Sequence, residues 1–206
     1  MTEYILHINS WAIINWIEYQ ELKVKDWDFV FLRWDSGSGK TTLLKSLSWH
    51  WIESSFCKRL FSKDDISFYF HDFMLLDIYS IEENIFLKNA INPGWDLKKK
   101  RLLYSDLIER FNLKDRLGRQ VSKLSSWEYQ RVCLIRSFLD ESKVLFFDEP
   151  TSFLDEDNKK RVLDYLLECN LKWCTIFLSS HDSSSFSYLK DKVANNRFLI
   201  YELDGE

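Results

Sequence analysis

Residues able to handle a phosphate group lie between an apolar run and a helical one. Phe29-Val30-Phe31-Leu32-Arg33 leads into Trp34-Asp35-Ser36-Gly37-Ser38-Gly39-Lys40-Thr41-Thr42, and Leu43-Leu44-Lys45-Ser46-Leu47 follows. The pattern G-x-x-x-x-G-K-[ST] between a strand and a helix is a phosphate-binding loop. Here every place but the first, Trp34, carries the required type. Small residues from Ser36 to Gly39 let backbone N–H groups curl around phosphate oxygens, and a helix starting near Lys40 adds its positive end. Lys40 would place a point charge against β- and γ-phosphates, and the Thr41 hydroxyl would ligate Mg²⁺. The alternative is a Gly/Ser turn that only caps a helix. The unbroken Ser-Gly-Ser-Gly-Lys-Thr-Thr run in this context speaks against it.

Two acids close a second apolar run, Val144-Leu145-Phe146-Phe147-Asp148-Glu149-Pro150. Carboxylates at the end of a buried strand are costly unless a cation or a reaction uses them. Asp148 could hold the shell of Mg²⁺, and Glu149 could orient and polarise an attacking water. Capping of the next helix is an equally open reading, because acids favour helix starts. A third run, Thr175-Ile176-Phe177-Leu178, ends in Ser179-Ser180-His181-Asp182. A lone histidine is usually structural. His181 gains interest from its place just past a strand end, where ligands gather in open α/β sheets.

The elements that must position these residues are legible as short apolar runs: Tyr4–Ile8, Phe29–Leu32, Ile66–Phe70, Val144–Phe147, Thr175–Leu178 and Phe198–Tyr201. Helical patterns lie between them. Leu103, Leu107, Ile108 and Phe111 share one helix face, as do Val162, Leu163, Leu166 and Leu167. Such alternation implies an α/β fold around a mainly parallel sheet. The length of 206 residues fits one domain, and 46% hydrophobic residues can fill its core. A net charge of −4 gives no basic face for nucleic acid. The basic run Lys98-Lys99-Lys100-Arg101 reads as a solvated turn opening an amphipathic helix. Cys57, Cys133, Cys169 and Cys174 lack metal or C-x-x-C spacing and read as reduced, mostly buried thiols. Neither a membrane span nor a signal peptide is expected.

These residues, in this order, resemble the ATP-binding-cassette (ABC) ATPases over nearly the whole chain. Leu124-Ser125-Ser126-Trp127-Glu128 stands where that family has its L-S-G-G-x signature, and Tyr129-Gln130-Arg131-Val132 follows. Ser152-Phe153-Leu154-Asp155 resembles the S-A-L-D loop, and His181 the switch histidine. Phe70-His71-Asp72-Phe73-Met74-Leu75-Leu76 resembles the loop that meets a transmembrane partner. Phe-Val-Phe-Leu before the phosphate loop, and Asp72–Leu76 before Glu83-Asn84-Ile85, are most similar to the FtsE-type cell-division group, near the lipoprotein-release and macrolide-export ATPases.

The resemblance implies a P-loop NTPase of ABC type as a single domain over 1–206. It carries an inserted helical subdomain at about 72–126 and a trimmed antiparallel β-subdomain. It implies ATP and Mg²⁺, with hydrolysis assisted by Glu149, His181 and His71. Trp34, Asp35, Ser36, Gly37, Ser38, Gly39, Lys40, Thr41, Thr42, Ser125, Ser126, Trp127 and Asp155 would contact nucleotide, and Thr41 and Asp148 the metal. Trp11, Trp16 and Tyr19 are candidates to stack on adenine. The implied partners are a second ABC domain, as a head-to-tail homodimer, and a transmembrane permease-like or FtsX-like subunit at the inner face of the cell membrane, with no nucleic acid. The alternative is a degenerate ABC module that binds nucleotide or a partner without turnover. A third reading, an ABC protein of repair or translation, usually comes with a second cassette or a long coiled coil.

Departures from the family pattern are specific. His71 replaces the usual Gln, and the stretch between Lys40 and His71 is short. Trp27, Trp34, Trp49, Trp127 and Trp173 all fall where the family has Gly. Trp occurs 9 times and Gly 5 times. Glycine positions are chosen for positive φ or close backbone approach, which an indole cannot replace. These tryptophans read as glycines whose UGA codons were translated as Trp, the rival being genuine tryptophans in a cassette drifting out of function, against which the retained Lys40, Asp148 and Glu149 speak. Restoring all nine brings Gly to about 7%, its ordinary share.

Overall fold

Parallel pairing of five apolar runs makes the central sheet. The computed structural model describes residues 4–9, 12–14, 17–33, 39–48, 57–70, 75–91, 97–152 and 154–202, without the side chains of 14, 88–91 and 97. The sheet contains β5 (Phe29–Arg33), β7 (Ile66–Tyr69), β8 (Val144–Asp148), β9 (Thr175–Ser179) and β10 (Phe198–Glu202), in the order β10-β5-β9-β8-β7. Every neighbouring pair is parallel. Strands β8 and β9 are buried at every residue, as expected when helices cover both faces of a parallel sheet. Phe177 lies in register with both Val30 and Phe146, and the Phe146 and Phe177 rings stack 4.7 Å apart. The α/β class with a mainly parallel sheet is thus as the sequence indicated.

Short strands form the antiparallel part. Strands β1 (Leu6–Ile8), β4 (Leu22–Val24) and β6 (Cys57–Arg59) pair in the order β4-β1-β6, and β2 (Ala12–Ile14) pairs with β3 (Ile17–Tyr19). The run at Tyr4–Ile8 therefore belongs to this sheet, not to the central one. Helix α1 (Lys40–Leu47) follows β5, and the Arg59 guanidinium of β6 donates to the Ser46 and Leu47 carbonyls at its C-terminus. Helix α6 (Ser183–Lys192) precedes β10 and is N-capped by Asp182, whose carboxylate accepts from the Ser184 and Ser185 N–H groups.

Two compact units divide the chain. The sheets belong to a unit of residues 1–71, 142–152 and 162–206, and the second unit comprises 72–141 and 153–161. In the second, α2 (Ile81–Ile91) and α3 (Leu97–Arg110) each pack on α4 (Ser126–Phe138). Leu107, Ile108 and Phe111 are buried as the pattern indicated, and Leu103 is half-buried. Two arginines satisfy carbonyls at the α3 end: Arg161 donates to Arg110 O at 2.7 Å and Arg131 to Phe111 O at 2.9 Å. Helix α5 (Glu156–Leu171) starts in this unit and continues in the first, where Val162, Leu163 and Leu166 are buried.

Two surface readings change. Lys98, Lys99 and Arg101 are exposed, but Lys100 is only 6% exposed. Its ammonium donates to the Leu139 carbonyl and lies 3.1 Å from Glu141 Oε2. A buried ammonium persists because it is paired, and burial still draws its pKa down. The four cysteines are thiols, but only Cys133 is buried, the others being half-buried. Trp27 and Trp173 have φ of 69° and 74°, in the left-handed region. Trp127 is helical and 43% exposed, while Trp34 and Trp49 lie outside the described residues.

Candidate nucleotide site

Three neighbouring strands end at one place. Beyond β5 the chain passes through residues 34–38, outside the described residues, and re-emerges at Gly39, the N-cap of α1. Gly39 has φ 94°, and a Cβ there would stand 2.4 Å from Ile17 Cδ1 and 2.8 Å from the Tyr19 hydroxyl. The left-handed conformation demands glycine, and a Cβ would in addition displace the ends of the Ile17 and Tyr19 side chains. Tyr19 is fully buried, donates its hydroxyl to the Gly39 carbonyl at 3.1 Å, and has its phenol pushed up to about 12 by burial. It is a core ring supporting the loop, so it leaves the set of adenine-stacking candidates. Trp11 and Trp16 lie outside the described residues, as do Trp34, Asp35, Ser36, Gly37, Ser38, His71, Phe73 and Met74.

Lys40 and Thr41 open α1, with Thr42 half-buried behind them. The Thr41 hydroxyl donates to Asp148 Oδ2 at 2.5 Å. Lys40 is 8% exposed, and its Nζ stands 4.0 Å from Glu149 Oε1. That same oxygen accepts the His181 backbone N–H at 3.1 Å and lies 2.9 Å from His181 Nδ1. Glu149 Oε2 is buried without a hydrogen-bond partner among the described residues. Glu149 also has φ 49°. Non-glycine residues in this region cluster at functional sites, held by over-determining contacts. Lys40, Thr41, Asp148, Glu149 and His181 are thus brought together at the C-terminal ends of β5, β8 and β9, the side of a parallel sheet where ligands bind.

The remaining candidates belong to the other unit. Ser125 is the exposed N-cap of α4: its hydroxyl accepts the Glu128 N–H, and Glu128 accepts the Ser125 N–H at 3.0 Å. That backbone hydrogen bond, with the Arg116 guanidinium at 2.6 Å, holds the Glu128 carboxyl below its usual pKa. Ser126 and Trp127 occupy the exposed first turn. Asp155 starts α5 by accepting the Asn158 N–H at 2.8 Å, and that bond lowers its carboxyl pKa. The sequence reading missed Ser179. It ended the strand at Leu178, whereas Ser179 is the last residue of β9 and its hydroxyl donates to Asp148 Oδ1 at 2.5 Å. The available signal was a polar residue at the end of an apolar run, one place earlier than a loop would need.

A phosphate-type loop, a buried lysine and a hydroxyl–carboxylate pair on a parallel sheet define a nucleotide-binding α/β protein of the P-loop class. The comparisons narrow this. Residues 20–152 match the family described as ABC transporter, and the chain belongs to that family as an ATP-binding ATPase subunit. It is 32% identical to the lipoprotein-releasing system ATP-binding protein LolD of Leptospira interrogans, across 84% of this chain and 78% of that one. It is 27% identical to the cell division ATP-binding protein FtsE of Streptococcus pneumoniae, across 90% of this chain and 87% of that one. In fold it is similar to the solved dimeric structure of a bacterial ABC transporter cassette, with a TM-score of 0.73 at 17% identity, covering 96% of this chain and 94% of the other.

Proposed function

We propose that this chain is the ATP-hydrolysing engine of an ABC-type membrane complex, with Mg²⁺ as its metal, acting as one cassette that pairs with a second copy. The observation that carries this reading is the convergence of Lys40, Thr41, Asp148, Glu149 and His181 within one unit. A hydroxyl and a carboxylate are the hard oxygen donors Mg²⁺ takes, so Thr41 and Asp148 would hold it. When bound, the ion neutralises phosphate charge. Lys40 would face the β- and γ-phosphates. Glu149 Oε2, buried and unpartnered among the described residues, would accept a hydrogen bond from the attacking water and orient it. His181 holds the other oxygen of that carboxylate at 2.9 Å, fixing the direction in which Oε2 points. His71, which lies outside the described residues, would assist hydrolysis as the family resemblance implies.

Ser125, Ser126 and Trp127 would meet the nucleotide held by the partner copy, across the exposed N-terminus of α4. The solved cassette of similar fold is described as a dimer, which supports this arrangement. The LolD and FtsE likenesses favour a transmembrane partner, permease-like or FtsX-like, and placement at the inner face of the cell membrane. Among the described residues no helix is long and apolar enough to cross a membrane, so such a partner would supply the spans.

The test is Glu149→Gln, which keeps shape and removes the carboxylate. The expected result is loss of ATP turnover by roughly 100-fold or more, with ATP still bound and a dimer trapped in sedimentation. Turnover at the parent rate would remove Glu149 from its role and the proposed mechanism with it.

A further inference from the structure

We propose that Ser179 is a positioning residue for the acidic pair, acting through Asp148 and Glu149 rather than on nucleotide. This rests on the function proposed above. Ser179 has no solvent exposure and pairs in register with Asp148 across the β8–β9 ladder. Its hydroxyl donates to Asp148 Oδ1 at 2.5 Å, while Oδ2 accepts the Thr41 hydroxyl at 2.5 Å. The two bonds together fix the rotation of a carboxylate that is 4% exposed. The Glu149 N–H donates to the same Ser179 hydroxyl at 3.2 Å and to the Ser179 carbonyl at 3.1 Å. One residue therefore holds the Asp148 carboxylate and the left-handed backbone of Glu149. A hydroxyl can do this because it donates to one group while accepting from another. Packing gives no reason for a polar side chain here, since strands of a covered parallel sheet run apolar.

The experiment measures binding of a fluorescent ATP analogue to Ser179→Ala and Ser179→Thr, in EDTA and across a Mg²⁺ titration. Ser179→Ala is expected to raise the half-saturating Mg²⁺ concentration roughly tenfold and to leave affinity in EDTA unchanged, with Ser179→Thr restoring the parent curve. Parent-like Mg²⁺ dependence in Ser179→Ala overturns the proposal, as does equal weakening with and without Mg²⁺. If Ser179→Ala does not fold, Ser179→Cys, of similar size and a weaker donor, is expected to need more Mg²⁺ than the parent for half-saturation with affinity in EDTA unchanged, and a parent-like curve overturns the proposal. A parent chain whose ATP affinity ignores Mg²⁺ altogether would instead overturn the proposed function on which this rests.

Independent backbone observations carry a second inference: we infer that the protein made in its source carries glycine at positions 27 and 173. Trp173 is the residue after the α5 C-cap. Its N–H donates to Asn170 O at 3.1 Å and the Cys174 N–H to Cys169 O at 3.1 Å, the bond pair of a helix end whose left-handed residue is usually glycine. Trp27 is third in the turn from Lys25 to Asp28, closed by Asp28 N–H to Lys25 O at 3.3 Å, where positive φ again calls for glycine. Asn170, 6% exposed, ties the turns together by donating to Trp27 O and Cys174 O, each at 2.9 Å, and the Trp27 N–H donates to Thr175 Oγ1 at 2.8 Å. The backbone is thus fixed by groups other than the indoles. The indoles themselves are 37% and 59% exposed and lean on each other and on Arg197.

Peptide masses from the native protein, read beside the gene, test this. UGA codons with glycine masses at 27 and 173 are expected; UGG codons or tryptophan masses overturn it. In recombinant protein, Trp27→Gly and Trp173→Gly are each expected to raise the melting temperature by about 3 °C. A fall at both positions would overturn the claim that the fold asks for glycine there.

Discussion

Lys40 is nearly buried, and its ammonium lies 4.0 Å from the Glu149 carboxylate. A cation withdrawn from water needs counter-charge, and a triphosphate brings several negative charges to it at once. Removing the ammonium should therefore cost substrate binding more than folding. Lys40→Ala is expected to weaken ATP binding by roughly 10- to 100-fold in calorimetric titration, and an unchanged affinity would take Lys40 out of the site. Lys40→Arg is expected to recover only part of the loss, because a planar fork does not replace a compact point charge on a short reach. At this scale the motif residues were legible because each ends an apolar run or starts a helix, which fixes where it must emerge. Ser179, Tyr19 and Asn170 were not, because their roles come from partners 31, 20 and 143 residues away in the chain. Lys100 misled for the same reason. A charge run looks solvated until Glu141 and the Leu139 carbonyl are seen to enclose one of its members.

Helix α4 begins on a serine that has two tasks under the proposed function. Ser125 closes a capping box with Glu128, and it is also the residue offered to the partner's nucleotide. A substitution that removes the hydroxyl confounds the tasks, since losing an N-cap costs about 1 kcal/mol by itself. Ser125→Asp separates them: aspartate caps as well as serine but would bring negative charge towards a phosphate. The expected outcome is a melting temperature near the parent's for Ser125→Asp, together with loss of the ATP-dependent dimer in the Glu149→Gln background. A dimer that survives would place Ser125 away from the phosphates and leave it only as a cap. Among whole elements, the central strands were legible because a buried parallel strand is a continuous apolar run. Strands β2, β3, β4 and β6 have three residues each. That is too short for period-two alternation to stand out from a loop, and their pairing is set by neighbours rather than by their own pattern.

At the scale of the whole molecule, the proposed function requires turnover to reach a membrane partner. The resemblance places docking at the loop Phe70–Leu76, of which residues 71–74 lie outside the described residues. The stretch just after them belongs to the helical unit. Leu76 is 43% exposed and Ile78 80% exposed. The fully buried Asn84 side chain accepts the Leu76 N–H at 2.7 Å and donates to the Leu76 and Ser80 carbonyls, each at 3.0 Å. The Leu75 N–H donates to the Tyr129 hydroxyl at 2.5 Å. The backbone beneath these two apolar side chains is therefore fixed by interior groups. A rigid support with apolar side chains turned outward is a preorganised contact, because little ordering entropy remains to be lost on binding. Ile78→Asp is expected to change folding stability by less than about 0.5 kcal/mol, as exposed positions generally do, and to leave ATP turnover of the isolated chain at the parent rate. Co-purification with the transmembrane partner, and any stimulation by it, should be lost, because a carboxylate would have to be desolvated against an apolar surface. Asn84→Ala is the complementary test. It leaves the apolar side chains in place but frees the loop, so it should weaken the same association while lowering the melting temperature. Normal association in both variants would move the docking surface elsewhere on the chain.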